Sequence, residues 1–503
     1  MRPLSHEPVV AAIDQGTTST RCMLFDPQGQ TVALAQVEHR QIHPAPGWVE
    51  HDAAEVWRNV TLVVPMALRQ GGVEVGDIVA LGIANQRETS VVWDPVSGKV
   101  LAPAITWQDT RTADIVTTLV QAGHDEQIEA ISGLVPRTYF AGPRLRWQLD
   151  HVTGLRDRAQ AGELLFGTME SWLIWNLTGG PDGGVHVTDV TNASRTMLMD
   201  IETRQWSPRL LELLDVPASV LPRIASNAER YGTCTTLLPG VPVTAAIGDQ
   251  QAALVGQTCF EVGQAKCTYG SGAFLLSNTG PTRIVSSRGL ISTVAYQLGD
   301  DAPSYALEGS IAVAGSLVQW LRDSLGLIDT APQIETLAAT VPENGGCYIV
   351  PAFSGLYAPH WRDDARGIIV GLTSYITKGH LARAVLEATA WQTVEVVEAL
   401  RGDTGMDLDR FVVDGGMTSN QLLMQYIADV LDQRVERPLV SESVCLGAAY
   451  LAGLTVGYWD SLAAVRDNWH RAGSWRPRMD PARRAIERAG WEEAVRRALA
   501  DCS

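Results

Sequence analysis

Cysteine is scarce in this sequence, with seven in 503 residues, and no two of them form a Cys-x-x-Cys pair. The sequence therefore predicts neither a disulfide framework nor a cysteine-rich zinc site. A scattered set of free thiols is typical of proteins in a reducing cytoplasm. The cysteines are Cys22, Cys234, Cys259, Cys267, Cys347, Cys445 and Cys502.

Positive charge is also in short supply, because 39 Lys and Arg face 56 Asp and Glu, for a net charge of -17. Proteins that bind nucleic acids or anionic membrane surfaces usually do so through clustered Lys and Arg, so we expect no nucleic-acid partner. No window reaches about 18 uninterrupted apolar residues, and "MRPLSHEPVVAAIDQG" has no hydrophobic signal core. We expect no membrane insertion and a cytoplasmic location.

The chain is long enough to bury a large core, since 46% of its residues are hydrophobic. Single cores stop growing beyond about 250–300 residues, so two domains with a cleft between them are the first expectation. No Pro-rich linker or low-complexity segment marks the division. We place it after residue 256, which gives an N-terminal domain of residues 1–256 and a C-terminal domain of residues 257–503.

Strands that end in polar or Gly-rich turns recur along the chain. The β-prone run Val9–Ile13 is broken by "DQGTTST" and resumes in "RCMLFD", and "AKCTYGSGAFLLSNTG" (265–280) repeats the pattern. "VPVTAAIGDQQAALVGQ" (241–257) passes from an apolar run into a helical one. After "RFVVDGG", Ser419 or Asn420 can cap a helix. This alternation predicts α/β domains whose ligands lie at the strand ends.

Three of these turns are candidates for binding ATP. "IDQGTTSTR" (13–21) offers an Asp for a metal ion or its waters and free N–H groups for phosphate, although a polar hairpin looks similar. "YGSGAFLL" (269–276) is a second turn whose glycines let the backbone approach an anion closely, although a lone Gly-x-Gly is often just a hairpin. "VDGGMTSN" (413–420) leaves room for a base and ribose. Two facing phosphate turns and a Gly-Gly shelf describe an ATP cleft.

The acceptor side of such a cleft needs a base and a wall. "IGDQQAAL" places Asp249 at a strand end, where it could take a proton from an attacking hydroxyl. Helix capping by Asp is the commoner role at such a junction. Trp107 in "AITWQDTR" offers a flat apolar surface, and Tyr139 and Phe274 could extend it. Ordinary core packing is the alternative for all three rings.

The stretch "GIANQRETSVVWD" (82–94) sets Arg87 beside Glu88 at the end of an apolar run. An exposed ion pair would be worth only about 0–1 kcal/mol. A donor fork beside an acceptor would instead suit a small polar ligand. Because neighbours on a regular strand point to opposite faces, this second interpretation predicts that the backbone leaves strand geometry at Gln86–Glu88.

Taken together, these stretches resemble the FGGY family of sugar kinases, within the actin/hexokinase-like superfamily, from Val10 to about Trp459. Residues 367–387 fit the family's second signature. Any one motif would be weak evidence, but the full set is very specific. The stretches that carry the resemblance are "IDQGTTSTR", "HDAAEVW", "NQRETSVVWD", "WQDTRT", "WLIWNLTGG", "HVTDVTNASRTM", "GDQQAALVGQ", "VPAFSGLYAP" and "LGAAYLAGLTVGYW".

The resemblance implies an α/β fold of two actin-like, ribonuclease-H-type domains that close over ATP and an alcohol. It implies Mg²⁺-dependent phosphorylation of glycerol by ATP, giving sn-glycerol 3-phosphate. It assigns glycerol and the first phosphate turn to the N-terminal domain and the nucleotide to the C-terminal domain. A kinase for a longer polyol or ketose, and an actin-like or chaperone-like nucleotide switch, are the alternatives. We also expect a homo-oligomer, either a dimer or a tetramer.

The resemblance also assigns roles to individual residues. It makes Asp249 the general base and Asp14 the residue that orders Mg²⁺, with Asp249 beside the metal. The residues implied for glycerol are Arg87, Glu88, Trp107, Tyr139, Asp249, Gln250 and Phe274. The residues implied for the nucleotide are Thr17, Thr18, Ser19, Arg21, Ser271, Gly315, Gln319, Gly416 and Asn420.

The chain departs from the family pattern at several positions. Ser271 stands where Thr is common, and Glu170 where Asp is usual. In "YFAGPRLRW", Ala141 replaces a small hydroxyl residue and Arg144 replaces a Lys. Residues 229–243 lack both the Gly-Gly-Thr-Arg loop that binds an inhibitory sugar bisphosphate in some relatives and the phosphorylated His of others. Allosteric control is therefore not expected from the resemblance.

Overall fold

The computed structural model describes residues 7–353 and 355–500, so Cys502 lies outside the described residues. Runs of strands and runs of helices follow one another along the chain. The strands before residue 257 are β1 (Val9–Gln15), β2 (Ser19–Phe25), β3 (Thr31–Glu38), β4 (Glu50–His51), β5 (Ile78–Asn85), β6 (Val91–Trp93), β7 (Ala104–Ile105), β8 (Leu165–Gly167), β9 (Val187–Asp189), β10 (Met199–Asp200), β11 (Gln205–Trp206), β12 (Arg223–Ala225), β13 (Ala228–Thr233) and β14 (Pro242–Gly248). The helices of the same part are α1 (Ala53–Gly71), α2 (Ala113–Gln121), α3 (Asp125–Ser132), α4 (Ala141–His151), α5 (Leu155–Gln160), α6 (Met169–Leu177), α7 (Val190–Ala193), α8 (Pro208–Leu214) and α9 (Asp249–Gly256).

The second half of the chain also contains both strands and helices. Its strands are β15 (Gln264–Tyr269), β16 (Ala273–Gly280), β17 (Ile291–Tyr296), β18 (Ser304–Ile311), β19 (Tyr348–Val350), β20 (Ile368–Val370), β21 (Arg410–Asp414), β22 (Val435–Pro438) and β23 (Arg471–Trp475). Its helices are α10 (Gly315–Asp323), α11 (Gln333–Ala338), α12 (Lys378–Thr404), α13 (Gln421–Leu431), α14 (Ser443–Thr455), α15 (Leu462–Asp467) and α16 (Pro481–Ala500).

The first large sheet has the strand order β13-β14-β5-β1-β2-β3. Strands β1, β2 and β3 form an antiparallel meander, whereas β5 runs parallel to β1 and β14 parallel to β5. In this register Asn85 aligns with both Gln15 and Gly248. Because parallel strands end at the same edge, the segments that follow these three residues emerge side by side.

The second large sheet, of order β17-β18-β16-β15-β21-β22-β23, repeats the same plan. Strands β15, β16 and β18 are antiparallel neighbours, and β21 and β22 extend the sheet in parallel with β15. Three antiparallel strands followed by two parallel ones is the ribonuclease-H-type arrangement. The predicted fold, two such α/β units, is confirmed.

A shared core joins the two halves of the chain, because α14 of the second half packs on β5, β1 and α9 of the first. The two helices touch through glycines. A Cβ on Gly447 would lie 1.9 Å from the carbonyl oxygen of Ala252, and a Cβ on Gly256 would lie 2.0 Å from that of Ser443. Only residues without a side chain allow this approach.

Helix α13 settles a choice that the sequence left open. Asn420, rather than Ser419, caps it, since the Asn420 side chain accepts a hydrogen bond from the Leu423 N–H. Among the described residues, no helix is long and apolar enough to cross a membrane. The six described cysteines are free thiols, and all six are buried.

Candidate functional site

The candidate site lies where β1, β5 and β14 end at one edge of the first sheet. Strand β5 stops at Asn85, and Glu88 adopts a left-handed conformation with φ of 63°. The predicted departure from strand geometry at Gln86–Glu88 is therefore confirmed. It allows Arg87 and Glu88 to turn toward one another, with the Arg87 Nε 3.9 Å from a Glu88 carboxylate oxygen.

Arg87 is buried, with 2% of its side chain exposed, so the pair is not a surface ion pair. Its two terminal nitrogens donate to the carboxylate of Glu308 at 2.5 and 3.0 Å. Its Nε lies 3.2 Å from the Asp249 carboxylate. Arg87 thus connects the predicted base to a carboxylate contributed by the second half of the chain.

Glu88 has a separate partner, because the Nε of Arg195 donates to its Oε1 at 2.6 Å. Arg195 also lies 3.4 Å from Glu308. Arg87, Glu88, Arg195 and Glu308 therefore form one buried charge cluster. Burial opposes ionisation of Glu308, yet Arg195 and Arg87 lower its pKa to about 2. Burial raises the pKa of Glu88 despite the two arginines.

An aromatic wall stands beside the charge cluster. The rings of Trp107 and Tyr139 are 5.7 Å apart at 81°, and those of Trp107 and Phe274 are 6.3 Å apart at 82°. All three rings are only partly buried, so they are open to a ligand. The Trp107 indole N–H donates to the Thr17 hydroxyl at 3.0 Å, which ties the wall to the first phosphate turn.

Asp249 is the first residue of α9, while Gly248 occupies the capping position and no side chain caps there. The capping alternative for Asp249 is therefore wrong. One quarter of its side chain is exposed, and its carboxylate accepts a hydrogen bond from the Gln250 N–H at 2.7 Å. The Gln250 amide oxygen is held at 2.5 Å by the ammonium of Lys266, a buried group whose pKa burial lowers.

Asp14 lies on β1 directly opposite Arg21 of β2. Arg21 is 3.7 Å from Asp14 but 2.8 Å from Glu442, so its closer ion pair is with Glu442. Burial raises the pKa of Asp14 to about 7, and the nearby Asp249 contributes to the rise. Each of these two carboxylates has an arginine within 4 Å, and Mg²⁺ is commonly held by one or two carboxylates plus phosphates and waters.

The first phosphate turn joins β1 to β2 and is closed by a hydrogen bond from the Gly16 N–H to the Ser19 carbonyl at 2.9 Å. Thr17 is partly buried and Thr18 is exposed, so both are accessible. The Ser19 side chain is buried. Of the hydroxyls that the resemblance implied here, those of Thr17 and Thr18 are therefore accessible and that of Ser19 is not.

Polar side chains that are buried or partly buried hydrogen-bond to the backbone of this turn. The Gln41 amide donates to the Thr17 carbonyl at 2.8 Å, and Gln41 is itself bonded to His51 at 2.9 Å. The Gln86 amide contacts the other His51 nitrogen at 3.2 Å and the Gly16 carbonyl at 3.2 Å. Burial lowers the pKa of His51 to about 3, with a contribution from His39, so the ring is neutral.

The second phosphate turn lies between β15 and β16 and packs against the start of α10. The Gly270 N–H bonds to the Gly272 carbonyl at 2.8 Å, and the Gly315 N–H bonds to the Gly270 carbonyl at 3.0 Å. A Cβ on Gly315 would lie 2.5 Å from that carbonyl oxygen. Ser271 and, on α10, Gln319 are exposed.

The Gly-Gly shelf after β21 meets the second turn. Gly415 has φ of 89°, and a Cβ on it would lie 2.5 Å from the Tyr269 carbonyl oxygen. Gly416 is exposed and Asn420 is partly buried. The second turn, the start of α10 and the shelf are thus brought together, as the nucleotide interpretation requires.

Sequence reasoning missed several charged residues of the site, among them Arg195, Glu308 and Lys266. Glu308 stands alone in the apolar strand "YALEGSI", where a single buried carboxylate is a usable signal. Arg195 lies within "HVTDVTNASRTM", a stretch that the resemblance includes without assigning it a role. Their partners are far away in sequence, so the pairing itself left no local signal.

Glu170 does not join the charge cluster by hydrogen bonding. Its carboxylate accepts from the hydroxyls of Thr168 and Thr188 at 2.7 Å and of Ser171 at 3.1 Å. Burial raises its pKa to about 7, and Asp189 adds to the rise. Its contacts are those of a buried hydroxyl network.

Comparison with known proteins agrees with this geometry. Models of the N-terminal and C-terminal domains of the FGGY family of carbohydrate kinases match residues 9–256 and 265–456. The chain is 57% identical to glycerol kinase 2 of Streptomyces coelicolor, over 98% of this chain and 97% of the relative. It is 55% identical to the glycerol kinase of Methylorubrum extorquens, over 97% of this chain and 98% of the relative.

Solved structures show the same similarity. Plasmodium falciparum glycerol kinase with ADP superposes with a TM-score of 0.91 at 38% identity, over 98% of both chains. A ligand-bound xylulose kinase from Lactobacillus acidophilus superposes with a TM-score of 0.88 at 22% identity, also over 98% of both chains. The second similarity supports the fold alone.

Proposed function

Because the chain belongs to the FGGY family of carbohydrate kinases, we propose that it transfers the γ-phosphoryl group of ATP to glycerol, forming sn-glycerol 3-phosphate. The observation that carries the proposal is the buried Arg87–Glu88 pair beside both Asp249 and an aromatic wall. The high identity to proteins named glycerol kinase supports the choice of acceptor.

Glycerol offers three hydroxyls and a short carbon chain, so each hydroxyl needs its own partner. In our proposal Arg87 donates, Glu88 accepts, and Tyr139 and Gln250 complete the polar contacts. The rings of Trp107, Tyr139 and Phe274 face the carbon atoms. A molecule that lacks one hydroxyl would forfeit a hydrogen bond to one of these buried polar groups, which lowers its kcat/KM relative to glycerol.

The chemical step needs one base and little covalent assistance. Asp249 removes the proton from the attacking hydroxyl while that oxygen forms a bond to the γ-phosphorus. The bond from phosphorus to the bridging oxygen breaks, and that oxygen leaves on ADP. Arg87, 3.2 Å from Asp249, orients its carboxylate. Bound Mg²⁺, held by Asp14 and Asp249, would neutralise phosphate charge.

We propose that the nucleotide lies across the three turns, with its phosphates between the first and second turns. The structure of the Plasmodium relative with ADP supports nucleotide use. Closure of the cleft would exclude water, which competes with glycerol as acceptor. Ser19 is left out because its side chain is buried, and the residues proposed to contact the nucleotide are Thr17, Thr18, Arg21, Ser271, Gly315, Gln319, Gly416 and Asn420.

The decisive experiment is a coupled ADP-release assay with glycerol, dihydroxyacetone, xylulose and gluconate as acceptors. We expect ATP turnover that depends on Mg²⁺ and is fastest with glycerol. Turnover with xylulose or gluconate but not with glycerol would overturn the substrate and keep the family. Slow hydrolysis that ignores every acceptor would favour a nucleotide switch.

We further propose two domains, residues 1–256 and 257–503, and a cytoplasmic homo-oligomer, either a dimer or a tetramer. The gap between the two matched family models, residues 257–264, lies at the proposed boundary. Limited proteolysis tests the boundary, and light scattering tests the oligomeric state. A monomer at the concentrations used for the assay would contradict the second proposal.

A further inference from the structure

Arg144 is buried in α4, directly behind the proposed glycerol pocket, and is fully enclosed. Its guanidinium uses all four terminal N–H groups on backbone carbonyls. Nη1 donates to the carbonyls of Tyr139 at 2.8 Å and Glu88 at 3.2 Å. Nη2 donates to the carbonyls of Trp107 at 2.8 Å and Thr138 at 2.5 Å.

These carbonyls belong to three separate segments of chain. One follows β5 and carries Glu88, one follows β7 and carries Trp107, and one precedes α4 and carries Tyr139. Each segment therefore supplies one residue of the proposed glycerol pocket. Because the guanidinium is planar and rigid, it sets the positions of these segments relative to one another.

The contacts of Arg144 differ from those of the other buried arginines at the site. Arg87 and Arg195 each bind carboxylates, whereas the hydrogen bonds of Arg144 go to neutral carbonyls. A buried charge is costly unless it is hydrogen-bonded, and within the described residues all hydrogen bonds of this guanidinium come from its two terminal nitrogens, because its buried Nε has no partner. The arrangement is therefore suited to holding the backbone in place rather than to balancing a carboxylate.

We propose that Arg144 is a positioning residue that sets selectivity for glycerol by fixing the distance between Glu88, Trp107 and Tyr139. This inference rests on the proposed glycerol site. A displacement of about 1 Å in an acceptor pocket can cost about 100-fold in rate. A Lys at this position has three N–H groups, so it can satisfy three of the four carbonyls, and a Gln can satisfy fewer still.

The test compares Arg144→Lys and Arg144→Gln with the wild-type protein. The measurement is the ratio of kcat/KM for glycerol to that for 1,2-propanediol, together with the KM for ATP. We expect the ratio to fall by about threefold in Arg144→Lys, from the loss of one hydrogen bond. We expect a fall of about tenfold or more in Arg144→Gln, with the KM for ATP within about twofold in both.

The selectivity ratio does not depend on how much of the enzyme is folded, so loss of stability alone cannot imitate the result. Arg283→Gln is the matched control, because only 7% of the Arg283 side chain is exposed and it donates to the carbonyls of Glu129 and Ala130 on α3. It should leave the ratio unchanged. If Arg144→Gln does not fold, a wild-type ratio in Arg144→Lys overturns the inference by itself.

A parallel variant, Trp107→Leu, separates this inference from the proposed site. If Trp107→Leu lowers the ratio and the Arg144 variants do not, the positioning role is wrong and the glycerol site stands. If none of the variants changes the ratio, the site assignment is wrong and the inference falls with it. Equal losses with both acceptors in the Arg144 variants would also overturn it.

Discussion

At the scale of single residues, two residues that are adjacent in sequence need not be each other's main partners in the folded protein. Arg87 and Glu88 are neighbours in the chain, yet their shortest ion pairs are made with Glu308 and Arg195 respectively. The left-handed backbone at Glu88 is what points both side chains into the same region. A strained, non-glycine residue at a strand end is often functional.

Replacing the proposed base tests the chemistry directly. Asp249→Asn keeps the shape of the side chain but cannot accept the proton, so we expect kcat to fall by about 10²–10⁴. ADP affinity, measured by calorimetry, should change little. Asp364→Asn, at an exposed ion pair, is the control and should keep its activity. A near-normal kcat in Asp249→Asn would remove Asp249 as the base.

The buried His51 predicts a specific dependence of stability on pH. Its folded-state pKa of about 3 lies below the usual 6.5, so between these values the unfolded chain binds the proton and the folded protein does not. Stability from this group is therefore lost as the pH falls below 6.5, by at most about 1.4 kcal/mol per pH unit. Above pH 7 the group contributes no pH dependence.

His51→Gln isolates this effect, since a Gln can hydrogen-bond to both Gln41 and Gln86 without titrating. The difference in Tm between variant and wild type should be constant from pH 7 to 8. Below pH 6 it should shift in favour of the variant. A difference that stays the same from pH 8 to pH 5 would mean that His51 is not the group responsible.

At the scale of elements, the turns depend on short sequence patterns, and the close contact between two helices depends on glycines, which have no side chain. The two phosphate turns form at Gly16 and Gly270, where the sequence breaks β-prone runs with Gly and hydroxyl residues. The close crossing of α9 and α14 depends on Gly256 and Gly447. That crossing brings an element of the second half onto the first sheet.

Gly447→Ala should loosen the crossing, because the new methyl group would lie 1.9 Å from the Ala252 carbonyl oxygen. Overpacking of this kind costs about 1–3 kcal/mol, so the Tm should fall. Gly76→Ala is the matched control, since a Cβ there would meet nothing within 4 Å. Equal Tm values for the two variants would show that the helices separate without cost.

At the scale of the whole molecule, buried ion pairs join the two halves across the cleft. Glu308 on β18 pairs with Arg87 from the segment after β5 and with Arg195 from the segment after α7. These partners are 221 and 113 residues away in the chain. The charge cluster therefore exists only when both halves are folded and in contact.

Glu308→Gln should destabilise the protein by about 3 kcal/mol or more, because two buried guanidinium groups lose their shared carboxylate. Thermal unfolding should show this as a lower Tm, together with a higher KM for glycerol through the displaced Arg87. Glu493→Gln is the control, because it removes an exposed carboxylate from α16 whose pairs with Arg496 and Arg497 are screened by solvent and contribute little to stability. Equal Tm values for the two variants would contradict a structural role for Glu308.

Much of the fold and of the site follows from the sequence by itself. The strand–turn–strand units, the entry into α9 at Asp249 and the break at Gln86–Glu88 all depend on residues close together in the chain. Steric and hydrogen-bonding preferences act locally, so short patterns determine them. The predicted fold rests on these units and their repetition in the second half.

Only the tertiary structure decided which groups complete the site. Glu308 and Arg195 hold the Arg87–Glu88 pair, and Arg144 gathers three separate segments behind it. Helix α14 reaches the first sheet from the other half of the chain. Such contacts form between residues that are far apart in sequence, so they depend on the path of the whole chain. A buried charge is stable only beside its partner, and no short sequence pattern shows which partner that is.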